Sequence, residues 1–167
     1  MTAGRRRGAP ALRAVLPLLD PRAESPWESV LRVLHRAAEV DVEPQHEIRD
    51  EHGGFVARAD LWLVGTRRIH EYDGGVHREP EQHRHDLARD RRLVELGWQR
   101  CGYTAREVLR GGARVIASAD AVLGRAWSGG RLLAWRALVT SSLHDGATRA
   151  RLAARWQLRE DDRPQEA

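Results

Sequence analysis

The sequence predicts an α/β domain in which a mixed β-sheet is flanked by helices, followed by a helical C-terminal extension. Three observations carry that prediction. Apolar residues recur at helical spacing over Trp27, Val30, Leu31, Leu34 and Ala38. Three short β-prone runs, 45–50, 55–63 and 68–73, then follow one another across glycine-containing turns. A helical segment rich in Arg and Asp, about 81–96, finally leads to a fourth short run at 98–103. Three adjacent strands joined to a fourth through a helix imply a crossover connection, and hence a mixed sheet.

Each element carries its own boundary signals. In Ser25-Pro26-Trp27-Glu28, serine suits the helix cap and proline the first helical position, and glutamate stands three residues after the cap. That helix is expected to reach about Val40, before Pro44. Gly53-Gly54, Gly65-Thr66 and Asp73-Gly74-Gly75 close the three strands. The second helix is expected to use Leu87, Leu93, Val94 and Leu96 as apolar contacts and to stop at Gly97. Thr104 suits the cap of a helix running to about Arg110. Beyond Gly111-Gly112, Val115, Ala119, Val122, Leu123 and Ala126 suggest another helix, with two more at about 132–143 and 148–158. The expected organisation is a basic Pro/Arg-rich lead over 1–23, one domain over 24–110, and a helical extension over 111–167 with a polar end. The lead holds a short helical candidate, Leu12 to Leu19, bent at Pro17.

Composition narrows the function classes. The 167 residues suit one ordinary domain. No apolar stretch approaches the ~18–20 residues of a membrane helix. Pro10, Arg13 and Pro17 interrupt the run a signal peptide would need. A single cysteine, Cys101, cannot form an internal disulfide, so a reducing cytoplasm is the expected compartment. All 28 basic residues are arginine, and the chain contains no lysine. Residues 1–22 carry a net +4, residues 23–110 a net −3, and residues 111–167 a net +3. Basic ends around an acidic middle suit a nucleic-acid partner, although a solvated arginine surface is the plainer account.

The residues that could carry chemistry are Glu28, Asp60, Glu71 and Asp73, with His77 just beyond. Glu71 and Asp73 stand two apart in a predicted strand and so share a face. Asp60 lies near the middle of the preceding strand, where antiparallel pairing can set it opposite Glu71 or Asp73. Converging carboxylates repel one another and raise each other's pKa unless positive charge joins them. One solution is arginine, with Arg58, Arg67, Arg68 and Arg84 within reach. The other is a hard divalent cation, and Mg²⁺ favours a few carboxylate oxygens plus waters and a substrate phosphate. Zinc is disfavoured, because His70, His77, His83 and His85 give no pair at i, i+4 on one helix and Cys101 has no partner cysteine. The same isolation argues against Cys101 as a nucleophile. Trp27, Trp62 and Trp98 fall in regular elements and are read as packing residues.

Several of these pieces occur in an order that resembles a known family. They are Ser25-Pro26-Trp27-Glu28-Ser29, Ala59-Asp60-Leu61-Trp62, and Glu71-Tyr72-Asp73-Gly74 with His77. Then follow Arg84, Asp86, Arg89, Asp90 and Leu93 ahead of Gly97-Trp98. Over about residues 24–110 they resemble the endonuclease-like domains related to very-short-patch-repair endonucleases, within the PD-(D/E)xK nuclease superfamily. The resemblance implies a restriction-endonuclease-like fold and Mg²⁺- or Mn²⁺-dependent hydrolysis of DNA phosphodiesters. It assigns Asp60 and Glu71 as metal carboxylates, Glu28 as an accessory acid that orients water, and His77 as an acid–base or leaving-group residue. On the Arg- and Asp-rich helix, Arg84 or Arg89 is a candidate for phosphate contact, and ordinary i, i+3 ion pairing accounts for the same spacing. Asp73 falls where the superfamily usually has lysine, which this chain lacks altogether.

DNA is thus the expected partner, no membrane is, and a homodimer is the assembly left open. A catalytically degenerate member of the same fold, binding DNA or a protein partner, is the second expectation. The resemblance ties it to domains that follow a DNA-binding module of the abortive-infection antitoxin type. The lead from Arg5 to Pro26 looks like the connector after such a module, with the chain then a fragment. A plain interaction domain with solubilising charged faces is the third.

Overall fold

The computed structural model describes the backbone of residues 13, 16–74, 80–142 and 144–161, and side chains for all of these except 80–84, 111 and 155–161. Helix α1 (Pro26–Ala37) starts where the sequence signals put it, with the Glu28 amide donating to the Ser25 hydroxyl at 3.2 Å. Leu31 and Leu34 are fully buried on one side of α1. Strands β1 (Val42–Arg49), β2 (Phe55–Leu63) and β3 (Arg68–Tyr72) follow, then α2 (Pro80–Glu95), β4 (Gln99–Tyr103) and α3 (Ala105–Val122). The described residues form a four-stranded sheet of order β1-β2-β3-β4. The first three strands are antiparallel and β4 runs parallel to β3, so α2 is the crossover that the element order predicts. The chain is therefore mixed α/β, with helices flanking a mixed sheet.

Two apolar clusters form on this sheet. Leu61 and Leu63 of β2 join Leu31 and Leu34 of α1 and Val108, Val115, Ile116 and Ala119 of α3. Ile48, Ala57, Ala59 and Ile69 join Leu93 of α2. Residues 57, 59, 61 and 63 are all buried, yet the first pair belongs to one cluster and the second pair to the other. The change falls at Asp60. The facing position, between the pairs Pro44–Leu61 and His46–Ala59, is Gln45, which holds φ 57° in the left-handed region. An irregular backbone there is uncommon for a residue other than glycine.

Three expectations need correction. The helix capped by Thr104 does not end at Arg110 but continues to Val122 as one element through Gly111-Gly112. A Cβ added at Gly112 would lie 3.0 Å from Trp135 Nε1 and 3.3 Å from Leu34 Cδ1, so the glycine serves close packing and not termination. On α2, only Leu93 is buried among the four expected contacts; Leu87 is 46% and Val94 71% exposed, and Leu96 lies past the helix end. Charge, not apolar surface, faces much of the sheet there, because Arg89 reaches Glu71 on β3 and Arg92 reaches Asp50 beyond β1. The first strand begins at Val42, earlier than predicted, with Pro44 inside it. Of the helical candidate at 12–19, a 3-10 turn at Leu16–Leu18 falls among the described residues.

The C-terminal extension packs onto the domain. Leu132, in a 3-10 turn, and Trp135, in helix α4 (Leu133–Thr140), belong to the α1–α3 cluster. Arg131 pairs with buried Asp120 of α3 and donates to the Ala38 carbonyl at the end of α1. Helix α5 (Gly146–Asp161) follows.

Candidate functional site

Strands β2 and β3 pair as Leu61–His70 and Trp62–Ile69, and continuing that register sets Asp60 across from Glu71. The two carboxylates line one cavity of about 220 Å³ with Arg58, Tyr72, Asp86, Arg89, Asp90 and Arg100. Two strands, the crossover helix and β4 thus converge on it. Asp60 Oδ2 accepts the Tyr72 amide at 2.8 Å, which replaces a ladder hydrogen bond and fixes the carboxylate at the strand irregularity. Among the described residues nothing bonds Oδ1. Glu71 is 6% exposed and held from two sides. Arg89 of α2 donates to Oε1 at 2.6 Å and Oε2 at 2.7 Å, and Arg100 Nε of β4 donates to Oε2 at 2.5 Å. Arg100 also lies 3.7 Å from Asp90.

The remaining predicted residues take distinct places. Glu28 is buried at the start of α1, where its Oε2 accepts the Glu24 amide and the Gln45 side-chain amide, both at 2.8 Å. It nevertheless stands near enough to act on Asp60. Burial pushes Asp60 up to about 6, with Glu71 and Glu28 adding to the rise and the Tyr72 amide and Arg89 opposing it. Asp73 lies beside β4: its amide donates to the Tyr103 carbonyl at 2.8 Å, and a Cβ at Gly102 would be 3.6 Å from its own. Its charge, like those of Glu71 and Asp90, acts on Arg100. His77 and the side chain of Arg84 lie outside the described residues.

Arginine does neutralise the acids, but with different partners from those expected by proximity in sequence. Arg58 pairs with Glu24, Arg67 with the Leu96 carbonyl, and Arg68 with Gln99 and Ser118. Glu71 instead draws on Arg89 and Arg100, which the crossover and the parallel register bring over it. Reading the sequence missed Arg100, Tyr72 and Gln45. The alternation in β4 that sets Arg100 beside Glu71 was the available signal for the first; Gln45 had none, because its reach to Glu28 depends on a positive φ.

On the α1 side of β3, His70 is fully buried and bonds His35 of α1, with His35 Nε2 2.8 Å from His70 Nδ1. His35 Nδ1 lies 2.8 Å from the Leu31 carbonyl and therefore carries the proton it donates. His35 Nε2 then accepts from His70 Nδ1, and His70 Nε2 accepts the Tyr103 hydroxyl at 3.4 Å. Burial pushes His35 down to about 4 and His70 well below its ordinary value, so both rings are neutral. His70 is a core residue. Cys101 sits partly buried beside Arg68 and Ser118. Trp27 stacks on Tyr72 with centroids 5.3 Å apart, while Trp62 and Trp98 pack on the Leu93 cluster. Among the described residues no set of three or more His, Cys, Asp or Glu side chains is arranged to hold a metal ion. No described helix is long and apolar enough to cross a membrane.

Fold and site together define an α/β protein with a carboxylate–arginine cavity at the junction of its antiparallel and parallel strand pairs. Comparison with known proteins adds relatives without a described activity. Two uncharacterized proteins of Mycobacterium tuberculosis, from strains CDC 1551 / Oshkosh and ATCC 25618 / H37Rv, are each 34% identical to this chain over 123 residues. That match covers 72% of the chain and 45% of each relative, so the chain spans under half the length of the curated relatives it matches. No family model matches the chain, and no solved structure does.

Proposed function

We propose that this chain is a Mg²⁺- or Mn²⁺-dependent DNA endonuclease or nickase with a restriction-endonuclease-like fold, akin to the very-short-patch-repair endonucleases. One observation carries the reading: Asp60 and Glu71 face one cavity from adjacent antiparallel strands, in a helix–three-strand–helix–strand order. Among the described residues, Asp60, Glu71 and Asp90 share that cavity with Arg89 and Arg100, while Arg58 beside them is already paired with Glu24. The Asp60 carboxyl is raised chiefly by its burial, with the neighbouring charges of Glu71 and Glu28 adding to the rise.

The donor set suits a divalent cation in part. Mg²⁺ is commonly held by one or two carboxylates, with waters and substrate phosphate supplying the rest. Asp60 and Glu71 would be the two carboxylates to hold it, were Arg89 to release Glu71. A bound ion supplies Lewis-acid neutralisation of charge on the phosphoryl oxygens. The chain's own groups do the remainder. Tyr72 keeps Asp60 in place through its amide, Arg100 keeps Glu71 in place through Oε2, and Gln45 orients Glu28 towards the Asp60 side. Arg89 and Arg84 meet the DNA backbone, and the basic flanks add sequence-independent attraction. His77 is the proposed acid–base group.

The Arg89–Glu71–Arg100 cluster also favours a second reading, a degenerate nuclease fold that binds DNA or a partner without cutting it, because arginines occupy the carboxylate that an ion would need. Incubation of supercoiled plasmid with Mg²⁺ and with Mn²⁺ separates the two. The nuclease reading expects nicking or linearisation by wild type and none by Asp60→Ala or Glu71→Ala. Salt-dependent DNA binding without cleavage in either metal would leave the degenerate binder.

A further inference from the structure

We infer that Arg89 is a gate on the carboxylate site: DNA phosphate draws it away from Glu71, and only then does Glu71 Oε1 become available to a cation. The inference rests on the proposed nuclease reading and concerns how that site is regulated. Three observations on α2 and β3 support it.

Arg89 and Arg100 hold Glu71 in unequal ways. Arg100 donates to Oε2, whereas Arg89 spans Oε1 and Oε2, so Arg89 is the described side chain that covers Oε1. Removing Arg89 exposes an oxygen, while Arg100 continues to compensate the charge of the other. Arg100 is further anchored towards Asp90. Arg89 lacks a comparable second anchor among the described residues.

Arg89 is also incompletely satisfied where it stands. A guanidinium has five N–H donors in a rigid fork that matches a phosphate. Here one terminal nitrogen makes both bonds to Glu71, and Nε is buried without a hydrogen-bond partner. A buried, unmet donor is unfavourable by the full desolvation of that group. A phosphodiester oxygen pair offers acceptors for donors that Glu71 leaves idle, so the exchange of partner has a driving force. The side chain is 32% exposed at the cavity and rises from α2, the crossover helix, so a ligand can reach it from solvent.

The consequence is a coupling between anion and cation. Without DNA, Arg89 competes with the ion for Glu71. With DNA bound, the competitor has moved, and by reciprocity the ion tightens DNA binding by the same factor. Such a device keeps an ion out of the site until a substrate arrives, and limits indiscriminate chemistry by the free protein.

The test is Mn²⁺ binding to the full chain by isothermal titration calorimetry, with a short duplex DNA absent or present and the titration of DNA alone subtracted. Wild type should bind Mn²⁺ weakly alone and roughly tenfold or more tightly with DNA, within the usual range of coupled sites. Arg89→Gln should bind Mn²⁺ tightly without DNA and gain little from it. Arg89→Lys, which keeps the charge but on a shorter, more mobile side chain without the planar fork, should fall between them, and it replaces Arg89→Gln if that variant fails to fold by circular dichroism. Equal Mn²⁺ affinity of wild type and the variants, unaffected by DNA, would overturn the gate and leave the metal site standing. No Mn²⁺ binding by any of them, with or without DNA, would remove the metal site and the gate together.

Discussion

Two polar systems occupy opposite sides of the same short strand, and they differ in how completely they are satisfied. On the α1 side of β3, His70, His35 and Tyr103 form a closed chain in which the ring nitrogens find partners and end on the Leu31 carbonyl. On the α2 side, Glu71 and Asp60 face a cavity of about 220 Å³, with an Asp60 oxygen that no described residue bonds and an unmet Arg89 nitrogen. A buried network with its partners matched specifies structure, and one left unmatched is where function is sought. Adjacent residues, 70 and 71, thus belong to two different tasks because a strand turns alternate side chains to opposite faces.

The largest expected effect breaks the dry side. His70→Ala leaves His35 Nε2 and the Tyr103 hydroxyl without a partner and opens a cavity in a fully buried position. It should lower unfolding stability by about 3 kcal/mol, read from urea denaturation. If the loss were only a few tenths, the histidine chain would not be structural.

The two systems should also respond to acid with opposite signs. The pKa of His35 is about 4 in the folded chain against 6.5 for the free side chain. The unfolded chain therefore takes up the proton first, and stability is lost as pH falls from about 6.5 towards 4, on the order of 3 kcal/mol for this group. Asp60 is raised from 3.8 to about 6, so the folded chain holds its proton more tightly and gains stability as pH falls from about 6 towards 3.8. Wild type should show the partly cancelled sum, and Asp60→Asn a steeper loss over the same window. Urea midpoints across pH 4–7 for both proteins check it; parallel curves would mean that Asp60 is not under the strain described.

A smaller effect sharpens the contrast from the packing side. Gly112→Ala forces Trp135 and Leu34 to yield a few tenths of an ångström, which should outweigh the helix-propensity gain and destabilise by about 1 kcal/mol. DNA and Mn²⁺ binding by the folded fraction should not change. The smallest effect is expected at Arg58→Ala. Its ion pair with Glu24 is half-exposed on both sides, and its stability should change by less than about 1 kcal/mol in thermal melts.

Much of this arrangement is legible in the sequence, and what is not has identifiable causes. The Gly65-Thr66 turn between the two strands brought Asp60 opposite Glu71 or Asp73, and the observed β2–β3 register decides for Glu71. The arginine partners of Glu71 did not follow, because α2 has no coherent apolar face to announce which side meets the sheet; Leu93 alone is buried among its expected contacts. With Leu93 known to face inward, Arg89 one turn earlier shares its side. Glycine pairs are read as breaks, yet α3 runs through Gly111-Gly112, and Trp135, more than twenty positions on, fills the space that a side chain at Gly112 would take. His70 offered a titratable residue among other histidines, and only its depth, set by α1 packing, shows it to be part of the core.

The most direct test of the contrast is Asp60→Asn measured for stability and for plasmid cleavage in the same preparation. Removing a carboxylate that burial and its neighbours oppose should leave thermal stability at neutral pH equal to wild type or above it, while Mn²⁺-dependent nicking disappears. A clear loss of stability would make the cavity a structural feature like the histidine chain, and nicking that persists in the folded variant would place the chemistry elsewhere.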